Sequence, residues 1–482
     1  MLTREQRIDR LCERVGELAL WLDRAWLDLQ GWEFEGAPIE LGAPWPRRDG
    51  VLRIELRAAR VPQAWPLHET WLEVAPGGEG LLRVDYGGRS QAFGLDPWHR
   101  RFPLRAPDFR LFVEAVARLP FGRPNPQPHL ESARLVWTEP GLDRFLRRLR
   151  LIAGAAGGLG ADDAAEAMIS AAERALAALE WPSATEGYIA RAAHGRQLRE
   201  LWSPPRPFVS PSPLSDRSRE SVHAADAALE EDLAGLRAVY PPRGRLGLTG
   251  QAHIDLAWLW PLEETRRKAR RTFHTVVDLL DRYPEMTFVH SSGEAHELVR
   301  EVDPELFERV RDLAAGGRWE SAGGMWVEAD MNMISGESIA RQLLWGQSWL
   351  EREFGQRHRV GWLPDCFGFT PALPQLLRAA GLDGFFTTKL NWSETNRFPY
   401  DLFWWEGLDG TRVLAHMFRN EWPGLERAYH NSSERRASGL WDLQGAWPRP
   451  SAFGWSGGLG DRRRRPQPLR FADPQRRASR SE

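Results

Sequence analysis

From residue 243 onward the chain alternates short strand-like runs with longer stretches of helical spacing, and this rhythm limits the fold more than any other feature of the sequence. Strand-like segments at 246–249, 286–290, 319–322, 360–363 and 385–389 alternate with helix-like segments at 262–282, 294–316, 337–355 and 372–381. Strands separated by helices of that length are expected to run parallel, with the helices packed on the faces of the sheet. The expected class is therefore α/β, with a parallel (β/α) barrel-like domain, open or closed. Such a fold builds its chemistry from the C-terminal ends of several strands.

The residues that follow each strand suit such a site. After the first come Gly250-Gln251-Ala252-His253-Ile254-Asp255-Leu256-Ala257-Trp258-Leu259-Trp260-Pro261. Alternate side chains of an extended segment share a face, so His253 and Asp255 point the same way while Ile254 points into the core. An imidazole and a carboxylate presented side by side are competent metal ligands, or else a hydrogen-bonded pair in a polar cluster. Trp258 and Trp260 offer a wall on which a sugar ring can stack, or fill a core. Later strand ends carry Ser291-Ser292-Gly293-Glu294, then Gly323-Gly324-Met325-Trp326-Val327-Glu328-Ala329-Asp330, then Pro364-Asp365-Cys366-Phe367-Gly368-Phe369-Thr370, then Lys389-Leu390-Asn391-Trp392. Asp365 either does chemistry or caps the following helix. Lys389 is a site residue or a surface charge; it draws notice because Lys268 is the only other lysine among 64 basic residues.

Composition narrows the function classes. The formal net charge of −2 argues against a general nucleic-acid or membrane-surface binder. Cys12 and Cys366 cannot supply a disulfide framework, no stretch approaches a membrane span, and the N-terminus lacks a signal-peptide core; a cytoplasmic protein is expected. Ahead of the alternating region, residues 3–29 have the spacing of a helix. Residues 51–137 read as short alternating strands separated by turns such as Pro76-Gly77-Gly78, which suggests a β-sandwich-like module, and 141–182 return to helical spacing broken by glycines at 154–160. The expected domains are 1–203 (helix, sandwich-like module and helical segment), 204–242 (a proline-rich linker and connecting helix), 243–460 (the α/β domain) and 461–482 (an atypical tail).

Taken together, Ala-His-Ile-Asp-Leu-Ala-Trp-Leu-Trp-Pro at 252–261, Gly-Gly-Met-Trp-Val-Glu at 323–328, Asp-Cys-Phe-Gly-Phe-Thr-Pro-Ala-Leu-Pro-Gln at 365–375, Thr-Lys-Leu-Asn-Trp at 388–392 and Phe-Trp-Trp-Glu-Gly-Leu-Asp-Gly at 403–410 resemble the retaining α-mannosidases of glycoside hydrolase family 38. The resemblance covers about residues 243–418. It implies a Zn2+- or other divalent-metal-dependent enzyme that removes terminal α-mannose from oligosaccharides. By position it implies His253, Asp255 and Asp365 as metal ligands, Asp365 also as nucleophile, and Trp258 and Lys389 as substrate-binding residues. Glu294, Glu328 and Asp330 either touch substrate or support and cap the residues around it, and none is assigned a role.

The chain also departs from that pattern. The family continues into a helical bundle and large β-domains, and its remaining histidine ligand lies downstream of anything that aligns. A truncated hydrolase is therefore expected, with an exposed docking face that favours self-association into homo-oligomers. Where this branch of the family has a glycine run after its proposed acid/base aspartate, the chain reads Gly460-Asp461-Arg462-Arg463-Arg464-Arg465-Pro466. Glycine codons read out of frame become arginine codons, so the expectation is a frame shift near Asp461, with Asp461 as the acid/base and 462–482 foreign to the family. Reading the coding DNA in its other frames tests this. Two other functions fit parts of the sequence: an inactive carbohydrate- or metal-binding remnant, and a metal-dependent deacetylase-like hydrolase. The deacetylase reading leaves the Asp365 and Lys389 segments unexplained.

Overall fold

The computed structural model describes residues 2–48, 50–159, 162–181, 213–241, 249–391 and 398–417. The chain divides into two compact units, with a boundary between Arg245 and Leu246. The atypical tail, the proline-rich connector at 204–212 and Asp461 lie outside the described residues.

In the first unit, α1 (Arg4–Leu18) starts at Thr3, whose side chain and that of Gln6 form a reciprocal capping box. Its buried stripe is Leu11, Val15 and Leu18. The helix stops there: instead of continuing to 29, the chain makes a tight turn and enters β1 (Asp23–Asp28), which pairs antiparallel with β10 (Ser132–Thr138). Ladder hydrogen bonds available only in the tertiary fold outweigh the local helical spacing.

The sandwich is built from two antiparallel sheets. β1 and β10 join β5 (Thr70–Ala75) and β8 (Arg101–Pro103). The second sheet holds β2 (Trp32–Phe34), β3 (Ala37–Ile39), β4 (Leu52–Arg60), β6 (Glu79–Asp85), β7 (Ser90–Leu95) and β9 (Asp108–Val116). Inward residues of both sheets, among them Ile54, Leu72, Leu82, Phe93 and Leu135, form one core. A second core holds α1 against α2 (Pro140–Gly158), α3 (Asp163–Ala177) and α4 (Asp216–Val239) through Phe145, Leu149, Ala172, Val222 and Leu229. The helix expected to be a connector is thus packed into this helical cluster.

The second unit follows the alternating rhythm. β11 (Thr249–Gln251), α5 (Leu262–Arg282), β12 (Thr287–His290), α6 (Gly293–Val302), α7 (Pro304–Ala315), β13 (Trp319–Ser321), α8 (Gly336–Phe354), β14 (Val360–Trp362), α9 (Leu373–Ala379), β15 (Gly384–Thr387), β16 (Leu402–Glu406) and β17 (Arg412–Met417) follow in order. The expected helix at 294–316 is two helices, because Pro304 has no N–H to donate and disfavours helix at Asp303. Asp303 leaves the helix and caps α7, accepting from Leu306 N at 3.3 Å.

Parallel pairing runs β11–β12–β13 in one sheet and β14–β15–β17 in another. The second sheet ends in β16, which pairs antiparallel with β17 through a turn at Gly407–Gly410, so the sheet is mixed where an all-parallel one was expected. A hairpin needs no crossover helix, and the short turn leaves no room for one. Among the described residues the two sheets share no strand pairing. Behind the first lies a core of Phe273, Phe288, Phe307, Trp319 and Trp349, and behind the second one of Leu363, Leu377, Phe385, Trp405 and Val413.

Two buried histidines sit in the first of these cores. His296 donates from Nδ1 to the carbonyl of Ser292 at 2.7 Å, and its Nε2 accepts from Trp319 Nε1 at 3.0 Å and Ser321 Oγ at 3.1 Å. A proton on Nε2 would face two donors, and burial pushes this imidazole down to about 4. His290 beside it is likewise held well below the ordinary histidine range by burial and by its histidine neighbours. Between about pH 6.5 and 4 the unfolded chain therefore binds protons that the folded chain refuses, and stability falls as the pH is lowered through that window. The expected slope from His296 alone is roughly 1.4 kcal/mol per pH unit. Urea unfolding at pH 7, 6, 5 and 4.5 reads it; unchanged stability over that range would count against neutral buried histidines.

Candidate active site

The ends of five strands of the second unit supply the site. After β11 the chain is pinned from behind: Thr265, in the first turn of α5, donates its hydroxyl to the carbonyls of Asp255 (3.1 Å) and Leu256, and accepts from Trp260 Nε1 at 2.9 Å. This fixes the loop that carries His253 and Asp255. After β12, Ser291 precedes Ser292, which caps α6 by accepting from Ala295 N. After β13 the chain turns at Gly323 and Gly324, both at positive φ (91° and 67°), where a side chain would be strained. A Cβ on Gly346 of α8 would lie 2.3 Å from the Met325 carbonyl carbon, so the helix packs directly on this turn. After β14, the Pro364 carbonyl accepts from Thr388 Oγ1 at 2.6 Å, which ties the Asp365 loop to the end of β15 that carries Lys389.

His253, Asp255 and Asp365 converge, with one ligand-type atom of each within 4.8 Å of the others. His253 Nε2 lies 3.3 Å from Asp255 Oδ1 and 3.4 Å from Asp365 Oδ2. Bonds of about 2.0–2.2 Å from one cation to tetrahedral ligands would place those ligand atoms roughly 3.3–3.6 Å apart; the two edges from His253 already have that length, and the third, between Asp255 and Asp365, is within 4.8 Å. The opposite ring atom, Nδ1, lies 2.8 Å from Glu328 Oε2. Glu328 Oε1 accepts from the Ser291 hydroxyl. The Asp365 Oδ1 atom pairs with the Lys389 ammonium.

The electrostatics point the same way. Burial opposes charge on His253, yet the carboxylates of Glu328 and Asp255 outweigh it and push the imidazole up to about 10. Without a cation the ring therefore carries a proton at neutral pH. With the ring neutral, the carboxylates of Asp255, Glu328 and Asp365 against the one ammonium of Lys389 leave an excess of negative charge that a divalent ion would balance. Asp255, Asp365 and His253 are all partly exposed, so the site opens to solvent.

Each residue singled out in the described sequence has a definite place. Asp365 does not cap α9, which starts at Leu373 from Ala372. Lys389 is no surface charge; its side chain is 11% exposed and it reaches Asp365, with its ammonium 4.6 Å from the centre of the Phe367 ring. Trp258 is 51% exposed and meets Trp260 edge-on at 5.4 Å, while Trp260 is the buried one of the pair. Glu328 and Ser291 follow strands whose ends suit a site, but neither was assigned a role in it. The available signal was that β12 and β13 are successive parallel strands, so their ends lie beside that of β11.

An α/β unit that gathers an imidazole, several carboxylates and a lysine at its strand ends, with an exposed tryptophan on one of the same loops, has the donors for a cation and an aromatic face open to solvent. Residues 244–468 match the N-terminal domain of the glycosyl hydrolases family 38. Residues 244–468, just under half of the chain, are thus a domain of that family. The chain is 32% identical over 400 residues to human alpha-mannosidase 2C1, covering 78% of this chain and 34% of that protein. It is 44% identical over 172 residues to alpha-mannosidase G of Dictyostelium discoideum, covering 36% of this chain and 16% of that one. Against the alpha-mannosidase of Saccharomyces cerevisiae it is 44% identical over 169 residues, covering 35% and 16%. The chain thus spans about a third or less of the curated relatives it matches. Among solved structures, an alpha-mannosidase from Enterococcus faecalis superposes with a TM-score of 0.33 at 25% identity, over 41% of this chain and 22% of that one.

Proposed function

We propose that this chain hydrolyses terminal α-linked mannose from oligosaccharides with retention of configuration, using a divalent metal ion, zinc by the character of its donors. The observation that carries the reading is the convergence of His253, Asp255 and Asp365 inside a family 38 domain. Imidazole nitrogen and carboxylate oxygen suit zinc. The bound ion would grip sugar hydroxyls and balance the charge of the carboxylates.

The chain's own residues would do the rest. Asp365 turns Oδ2 toward His253 and has Oδ1 for the anomeric carbon, with Lys389 orienting that oxygen. Attack forms a bond between Asp365 and the sugar as the bond to the leaving oxygen breaks. A second carboxyl group protonates that oxygen and then takes a proton from the water that releases the sugar. We assign this second role to Asp461. Trp258 offers its exposed face to the ring of the sugar.

The two sheets of this unit are read as parts of one barrel-like wall, since residues after β11, β12, β13, β14 and β15 meet at one place. A reducing cytoplasm suits Cys12 and Cys366, which are both thiols. No helix among the described residues is long and apolar enough to cross a membrane. Exposed Leu344 and Trp345 on α8 support self-association, which sedimentation of the purified chain would reveal.

The deciding experiment is incubation of the zinc-loaded chain with an aryl α-mannoside, the anomer first released being followed by NMR. Release of α-mannose supports the reading. Release of β-mannose would overturn retention, and zinc binding without turnover would leave a binding remnant in place of an enzyme.

A further inference from the structure

We propose that Glu328 is a positioning residue of the metal site, holding His253 in the one tautomer and ring orientation that present Nε2 to the cation. The inference rests on the reading of His253 as a ligand.

His253, Glu328 and Ser291 form a chain across three adjacent strands. Nδ1–H of His253 donates to Glu328 Oε2 at 2.8 Å, and Ser291 Oγ donates to Glu328 Oε1, so both oxygens of the carboxylate are engaged. The backbone before Glu328 is held as firmly. Val327 N donates to Gln342 Oε1 at 2.9 Å, Trp326 N donates to the Gln342 carbonyl at 3.0 Å, and the Trp326 carbonyl accepts from Glu294 N at 2.9 Å. The carboxylate thus reaches the ring from a loop with little freedom to turn.

The geometry separates this role from two others. Glu328 contacts Nδ1, while Asp255 and Asp365 contact Nε2, so the three carboxylates lie on opposite sides of the ring and Glu328 does not belong to the ligand set. Its side chain is 11% exposed with both oxygens occupied, unlike a carboxyl that must exchange protons with a leaving group and with water. What remains is orientation. A neutral imidazole that gives its Nδ1 proton to a carboxylate has its lone pair on Nε2, and it becomes a more basic ligand. Without that acceptor the ring can turn over or carry its proton on Nε2, and the donor geometry is lost.

The test uses the full chain stripped of metal and titrated with Zn2+ against a chromophoric chelator, for the unmodified protein and for Glu328→Ala, Glu328→Gln and Ser291→Ala, with circular dichroism to confirm folding. Glu328→Ala is expected to weaken zinc binding about 10–100-fold. Glu328→Gln keeps an acceptor for Nδ1–H without the charge and is expected to lose less; it decides the matter if the alanine variant does not fold. In zinc-loaded protein labelled with 15N-histidine, the Nδ1 resonance of His253 should show a hydrogen-bonded N–H that weakens from Glu to Gln to Ala. A purely structural role would lower the melting temperature of the metal-free chain and leave zinc affinity unchanged. Unmodified protein that binds zinc no more tightly than Glu328→Ala overturns the positioning role alone. Unmodified protein that binds no zinc overturns the metal reading, and this inference with it.

Discussion

Replacing Asp365 by asparagine is expected to reduce kcat on an aryl α-mannoside by roughly 10⁴-fold or more, the loss seen when a nucleophile is removed from an otherwise intact site. Asparagine has nearly the same shape and can still accept from Lys389, so the fold should survive, and melting of the variant is the control. The amide is a far poorer nucleophile and a weaker metal ligand than a carboxylate, and both deficits act on one residue. Because Asp365 faces His253 with one oxygen and Lys389 with the other, the variant also separates two roles. Zinc binding weakened with proportionate loss of activity assigns Asp365 to the metal; activity lost while the zinc remains assigns it to the sugar. Turnover within tenfold of the unmodified chain would remove Asp365 from the mechanism.

The second large effect is expected from the metal and its competition with a proton. Chelation should abolish turnover and added zinc should restore it. The imidazole of His253 is pushed up to about 10, so in neutral solution the metal-free ring is an imidazolium, and a cation must displace its proton. Zinc affinity should therefore rise about tenfold per pH unit between pH 6.5 and 8.5, once the chelator's own protonation is allowed for. Calorimetry in buffers of different ionisation enthalpy should report release of about one proton. His253→Ala should remove both the affinity and the proton release. Affinity independent of pH over this range would show that His253 does not ligate the metal.

The parts of this site that could be read from sequence are those that depend only on near neighbours in the chain. His253 and Asp255 share a face because side chains of extended backbone alternate, whatever the rest of the fold does. Asp365 and Lys389 stand out because each follows a strand, in a fold whose chemistry gathers at strand ends. Glu328 stood in plain view in the same kind of position, yet nothing local says whether a carboxylate there caps a helix, meets solvent or reaches an imidazole 75 residues away. Ser291 was equally silent. Among the elements, helix 262–282 is local in origin and coincides with α5, whereas β1 was hidden in a helical pattern because its pairing partner, β10, lies more than a hundred residues further on.

The sequence by itself determined the α/β rhythm, the sandwich-like module before it, the family, and the chemical types available at each strand end. These follow from periodicity, turn residues and short motifs, which are properties of a few consecutive residues. Only the tertiary structure decided which side chains meet: that His253 has two carboxylates on one ring nitrogen and a third on the other, that Lys389 turns in to Asp365, and that Trp258 faces out while Trp260 is buried. Those choices depend on strand order and on loops such as the one packed against Gly346, where separations of a few ångströms across distant parts of the chain set the chemistry.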